Sequence, residues 1–151
     1  MKFPFVEFPR TPSPAFPEAT TTLQPQVPVT IRNGVKEFEI YALVDSGAAC
    51  CIFPQNLGLG LGLDVEKGPT QRIDGLGGKV IVAHFHRVTL HLEKYTWNAY
   101  VGFSPDHLGT SSLLGLKGFF SEFKVTFDYS SRCTMIKKNN ISQKFLTLLA
   151  R

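Results

Sequence analysis

The sequence predicts a mostly β fold with one or two short helices. Three observations carry this reading. Short runs of alternating apolar residues recur from Val27 onward. Turn signals, Asn33-Gly34 and Gly75 to Gly78 foremost, separate them. No βαβ alternation is present. The chain has 151 residues, 43% hydrophobic and only 19% charged, with 13 phenylalanines, enough for one core and too apolar for a disordered chain. No apolar run approaches the roughly 18 residues of a membrane span.

The elements follow in order. Seven of the ten prolines lie in residues 1–28, so residues 1–26 read as a proline-rich, extended arm that Phe3, Phe5 and Phe8 pack down. Val27, Val29 and Ile31 alternate as a first strand up to the Asn33-Gly34 turn. Val35 to Val44 forms the second strand and runs straight into Asp45-Ser46-Gly47-Ala48. Cys50 to Phe53 is a short strand ended by Pro54. Leu57 to Leu63 alternates leucine and glycine, too briefly for a repeat architecture. Gly75-Leu76-Gly77-Gly78 turns between two extended segments, the second being the long strand Lys79 to Leu92. Trp97 to Phe103 and Leu113 to Gly115 are further strands, and Lys117 to Phe123 suits a short helix. Val125 to Met135 reads as a hairpin about Tyr129-Ser130-Ser131. Asn139 and Asn140 suit the cap of a last helix with Phe145, Leu148 and Leu149 on its apolar face. Three parts result: an arm (1–26), a domain (27–138) and a helical tail (139–151).

The net charge of +4 is uneven. Residues 1–116 hold nine Lys/Arg against ten Asp/Glu; residues 117–151 hold seven against two. A solvated face explains this basic end better than a nucleic-acid site, because it lacks the aromatic and basic interleaving of a reader. Cys50, Cys51 and Cys133 are odd in number and form no Cys-x-x-Cys, so buried free thiols are expected.

The sharpest chemical feature is Leu43-Val44-Asp45-Ser46-Gly47. A carboxylate ends an apolar strand, where burial demands donors or a partner. Ser46 supplies a hydroxyl, and Gly47 lets backbone N–H groups approach. Asp-Ser-Gly is also ordinary turn chemistry. Here, however, it lies between Ala42-Leu43-Val44 and Cys50-Cys51-Ile52-Phe53 rather than among polar residues.

In three ordered pieces the sequence resembles the retropepsin-like aspartic proteases. Ala42 to Ala48 is similar to the catalytic loop Asp-Thr/Ser-Gly-Ala. Ile73 to Val80 is similar to the glycine-rich flap. Leu113 to Phe120 is similar to the apolar-apolar-Gly strand and its following helix. The resemblance covers about residues 27–136. It implies a retropepsin-like acid-protease half-barrel that forms a homodimer. It also implies hydrolysis of peptide bonds by Asp45 and its symmetry mate, with water as nucleophile. The homodimer is required because no other aspartate of the chain sits in such a loop. Two carboxylates across one water share a proton, giving one base and one acid at mildly acid pH. The resemblance assigns loop support to Ser46 and Gly47. Substrate contact falls to Ala48, Gly75, Leu76, Gly77 and Gly78, the last four as a mobile flap. It implies no cofactor and no metal. Many members carry an acid at the position of Ala49 and an arginine at that of Leu116, joined as an ion pair; here both are apolar, and a double loss of this kind is tolerable.

The alternative is a non-catalytic dimerisation or peptide-binding module with the same fold. Other chemistries are poorly supported. His84 and His86 share a strand face but lack a third ligand, and His91 falls on the opposite face. Gly58, Gly60 and Gly62 have no nucleotide-binding context. Ser46 is in no Gly-x-Ser-x-Gly elbow. A Cys50 or Cys51 nucleophile has apolar neighbours. Prolines also interrupt any N-terminal signal run, so an intracellular, cytoplasmic protein is expected, with peptide and a second copy as partners, and no membrane.

Overall fold

The computed structural model describes residues 1–75, 78–105 and 112–139. Twelve strands lie among them: β1 (Lys2–Pro4), β2 (Val6–Pro9), β3 (Thr21–Gln24), β4 (Gln26–Asn33), β5 (Lys36–Val44), β6 (Ile52–Pro54), β7 (Thr70–Asp74), β8 (Val80–Leu92), β9 (Tyr95–Ser104), β10 (Ser112–Leu114), β11 (Phe123–Asp128) and β12 (Cys133–Lys138). They form a seven-stranded sheet ordered β4-β5-β10-β6-β9-β8-β7, a three-stranded sheet β1-β12-β11, and the two-stranded β2-β3. An extra β4–β8 pairing, with Ile31 opposite Leu90, closes the large sheet toward a barrel.

Alternation decides which face each strand buries. Val27, Val29 and Ile31 of β4 and Ala42 and Val44 of β5 enter the main core. Trp97, Ala99, Val101 and Phe103 of β9 join them. The long β8 serves two cores. Its second half turns Val88, Leu90 and Leu92 into the main core. Its first half turns Ala83 and Phe85, of the opposite parity, into a smaller cluster with Cys50 and Ile52. Ile73, Ile81 and Leu113 pack against that cluster. Trp97, Phe119 and Phe123 pack ring to ring, with Trp97 and Phe123 centroids 5.0 Å apart.

The β4–β5 turn is centred on Gly34 and Val35, one residue later than the Asn33-Gly34 signal places it: Asn33 pairs with Lys36, and Gly34 takes φ +59°. The one α-helix among the described residues, α1 (Gln55–Gly60), falls in the leucine-glycine stretch rather than at Lys117 to Phe123. Glycine is a poor helix former, but packing overrides propensity here. A Cβ on Gly58 would meet Val65 Cγ2 at 2.8 Å and Phe103 Cδ1 at 2.9 Å. The segment 117–123 is a series of turns. Gly118, at φ +99°, breaks a regular helix there, while Phe123 N–H still donates to Phe119 O at 3.0 Å. The proline-rich segment starts as a true strand. Phe3 of β1 is buried, and β1 pairs antiparallel with β12. The expected last helix lies almost wholly in residues 140–151, outside the described residues. No helix among the described residues is long and apolar enough to cross a membrane.

Candidate active site

Asp45 follows the last residue of β5, at the edge of the main core. Its backbone N–H donates to Leu114 O at 3.0 Å, which ties it to β10. One carboxylate oxygen, Oδ1, accepts the Gly47 N–H at 2.8 Å. This is the close backbone approach that a glycine permits: a Cβ on Gly47 would lie 3.1 Å from Oδ1. The side chain is half-buried, and Ser46 and Gly47 are exposed. The Ser46 hydroxyl makes no hydrogen bond among the described residues.

The loop is clamped from behind. β10 threads between β5 and β6, parallel to the first with Leu113 opposite Leu43, and antiparallel to the second with Leu113 opposite Ile52. Beyond it the chain grips the Asp45 loop by main-chain bonds. Leu116 N–H donates to Ala48 O at 2.8 Å, Lys117 N–H to Ala49 O at 3.0 Å, and Cys51 N–H to Lys117 O at 3.2 Å. Gly115 makes this grip possible: a Cβ there would run into Cys50 O and lie 2.6 Å from Ala48 O. Trp97 Nε1 donates to Gly118 O at 2.8 Å and so pins the clamp to the main core. Trp97 and Gly118 carry no local motif; only the packing reveals them.

The walls beside Asp45 are apolar. Leu43 lies two residues earlier on the same strand face. The register places Leu113 beside it and Ile52 beyond, and Ile73 and Ile81 pack on the same cluster. β7 and β8 pair antiparallel, with Asp74 opposite Val80, and project as a hairpin. At its end Gly75 N–H donates to Lys79 O at 2.7 Å, and Gly78 has φ +76° with open space around it. Leu76 and Gly77 lie outside the described residues. Ala48 is half-buried within the loop, and Ala49 is exposed. Leu116 is 47% exposed, a large apolar side chain facing solvent beside the loop.

On β4, Gln26 is buried and its Nε2 donates to Gln24 Oε1 at 2.9 Å. A groove of about 450 Å³, lined by Phe38, Ile40, Tyr41, Pro54, Asn56, Leu57 and Ser112, is separate from this site. Its nearest β5 residue is four positions, about 13 Å of strand, from Asp45.

The competing chemistries find no support in the geometry. Burial pushes the Cys51 thiol up to about 12, against a smaller opposing pull from a Gly115 backbone hydrogen bond. Cys50 is also raised by burial, against a smaller pull from Lys117. Neither thiol supplies a thiolate near neutrality. His86 Nε2 bonds Val65 O at 2.9 Å, and His91 Nδ1 bonds Thr96 Oγ1 at 2.8 Å. No group of three His, Cys, Asp or Glu among the described residues is placed to hold a metal ion.

Known proteins share this fold. A family model described as aspartyl protease matches residues 27–117, more than half of the chain. A retropepsin-like aspartic protease from Rickettsia conorii superposes with TM-score 0.56 at 21% identity, covering 74% of this chain and 89% of that one. The EIAV protease complexed with the inhibitor HBY-793 gives TM-score 0.47 at 18% identity, over 61% of this chain and 81% of that one. No curated protein matches the chain.

Proposed function

The chain belongs to the aspartyl protease family and has a retropepsin-like fold, and from that premise we propose that it is an aspartic endopeptidase active as a homodimer. The observation that carries this reading is the setting of Asp45. One carboxylate oxygen is oriented by the Gly47 N–H, and the loop that holds it is fixed by β10 and Gly115. Orientation of this kind suits a carboxylate that must meet a water at a set angle.

One such loop supplies one carboxylate, and the reaction needs two. A two-fold axis beside the loop brings Asp45 of a second copy across a shared water. The pair then holds one proton. The ionised member takes a proton from the water as its oxygen attacks the peptide carbonyl carbon. The protonated member gives its proton to the carbonyl oxygen. The tetrahedral intermediate collapses when the C–N bond breaks: the nitrogen takes up the proton held by the first carboxylate, and one hydroxyl of the intermediate returns its proton to the second carboxylate as the new carbonyl forms. Ser46, exposed and without a hydrogen bond among the described residues, then bonds the loop of the second copy. Ala49 and Leu116 meet that copy with apolar surface. Leu43, Ile52, Ile73, Ile81 and Leu113 form the wall for apolar side chains flanking the cut bond. The β7–β8 hairpin, with Gly75 to Gly78 at its tip, covers an extended peptide and bonds its backbone.

The test is cleavage of a peptide library, read by mass spectrometry, for the wild type and Asp45→Asn between about pH 4 and pH 7. The expected result is cleavage that rises faster than linearly with protein concentration. In the variant it falls by at least about a thousandfold. A dimeric wild-type protein that cuts nothing in this range overturns the endopeptidase and leaves a peptide-binding module.

A further inference from the structure

The feature that this function does not absorb is the β2–β3 hairpin. It pairs with no strand of the two larger sheets, and an isolated two-stranded hairpin is marginal in water. Yet its shape is fixed at both ends. At the base, Phe5 N–H donates to Arg132 O at 2.8 Å, and the Phe5 ring lies 6.1 Å from that of Tyr129. At the tip, Arg10 N–H donates to Thr20 O at 2.8 Å, and Phe16 N–H donates to Ser13 O at 2.9 Å. The Arg10 guanidinium stacks 5.2 Å from the Phe16 ring centroid, and Phe16 is 59% exposed. Pro12, Pro14 and Pro17 stiffen the turn between them.

Its position relative to the site is set by register. Gln26 of β4 lies opposite Leu43 of β5, and the Pro25 carbonyl accepts the Val44 N–H at 2.9 Å. Gln24, the last residue of β3, directly precedes Pro25, so the hairpin leaves the large sheet at the end of β5 that holds Asp45. Its four paired residues reach about 14 Å further at about 3.4 Å per residue.

We propose that the β2–β3 hairpin is a distal substrate-binding wall, which selects extended polypeptide reaching beyond the residues next to the cut bond. The inference rests on the endopeptidase reading above and deepens it. An extended peptide leaving Asp45 on this side meets a two-stranded hairpin whose outer edges have no partner strand among the described residues. Adding a strand there satisfies both backbones. At about 3.4 Å per residue it reaches the Arg10–Phe16 tip some four or five residues from the cut bond. An exposed, pre-ordered aromatic costs little entropy when it binds, which suits an anchor.

The test compares two peptides that share one cleavage site, of about six and about sixteen residues. Two variants are made: Phe16→Ala, and replacement of residues 11–19 by Asn-Gly to shorten the hairpin. The readout is the ratio of kcat/KM for the long peptide over the short one. It is expected to fall about tenfold, through KM, in both variants, as the loss of one aromatic anchor predicts. The same peptides, fluorescently labelled, are titrated into Asp45→Asn with and without each change. A tenfold loss of long-peptide affinity there supports the wall even if no cleavage is seen, which separates it from the endopeptidase reading. An unchanged ratio in Phe16→Ala together with unchanged long-peptide affinity overturns it. So does a fall in sedimenting mass of the variants, which assigns the hairpin to contact between copies.

Discussion

At the scale of single residues, glycine placement decides the site. Gly115 sits where the chain after β10 crosses the back of the Asp45 loop, against Cys50 O and Ala48 O. These are backbone atoms that cannot swing away. Gly115→Ala is expected to cost about 2 kcal/mol in urea unfolding and to lower activity with it. Another residue-scale expectation concerns acid. Asp128 Oδ1 accepts from Ser131 N–H at 3.0 Å and from the Ser130 hydroxyl at 2.7 Å. These bonds pull its pKa down from 3.8 to about 2. A depressed carboxylate stabilises the fold above its unfolded value, and that contribution is lost as pH falls from about 4 to about 2. Asp128→Asn should thus flatten the stability profile in that window, as followed by acid titration of the circular dichroism. Asp45 was legible in the sequence because a carboxylate ends an apolar run. The reason for Gly115 was not, since the atoms that exclude a Cβ lie some seventy residues away.

At the scale of elements, periodicity carried the strands and missed the helix. β4, β5, β8 and β9 fall where alternation and turn residues put them; β4 buries Val27, Val29 and Ile31 on one face, while β8 changes its buried face part-way along. Helix α1 hides in a glycine-rich stretch whose propensity opposes it; Gly58 lies there so that Val65 and Phe103 can close in. Prolines masked β1 in the same way, since the edge position it takes beside β12 tolerates them. Phe3, 8% exposed, then joins the main core. Phe3→Ala is expected to destabilise the fold by about 3 kcal/mol in thermal or urea unfolding, a loss that a floating arm would not show.

At the scale of the whole molecule, one chain presents half of the proposed dyad. Leu116, 47% exposed beside the loop, is the apolar surface that pairing of copies would bury. Leu116→Asp is expected to weaken self-association at least about tenfold in sedimentation, because it buries an unpaired charge against the second copy. The proposed dimerisation has no signature in composition or charge; it rests on the single Asp-Ser-Gly loop of the chain. The order of the large sheet has a consequence for synthesis. β10 enters between β5 and β6 only after both have been made. Until residues near 114 leave the ribosome, Asp45 lacks the carbonyl that receives its N–H and the segment that grips its loop. A nascent chain therefore carries its aspartate for some seventy residues of elongation with the loop unbuilt. In the proposed homodimer, two neighbouring nascent chains complete the shared site only when each has nearly finished, and the sheet order would hold back the proposed proteolysis until translation of the domain is over.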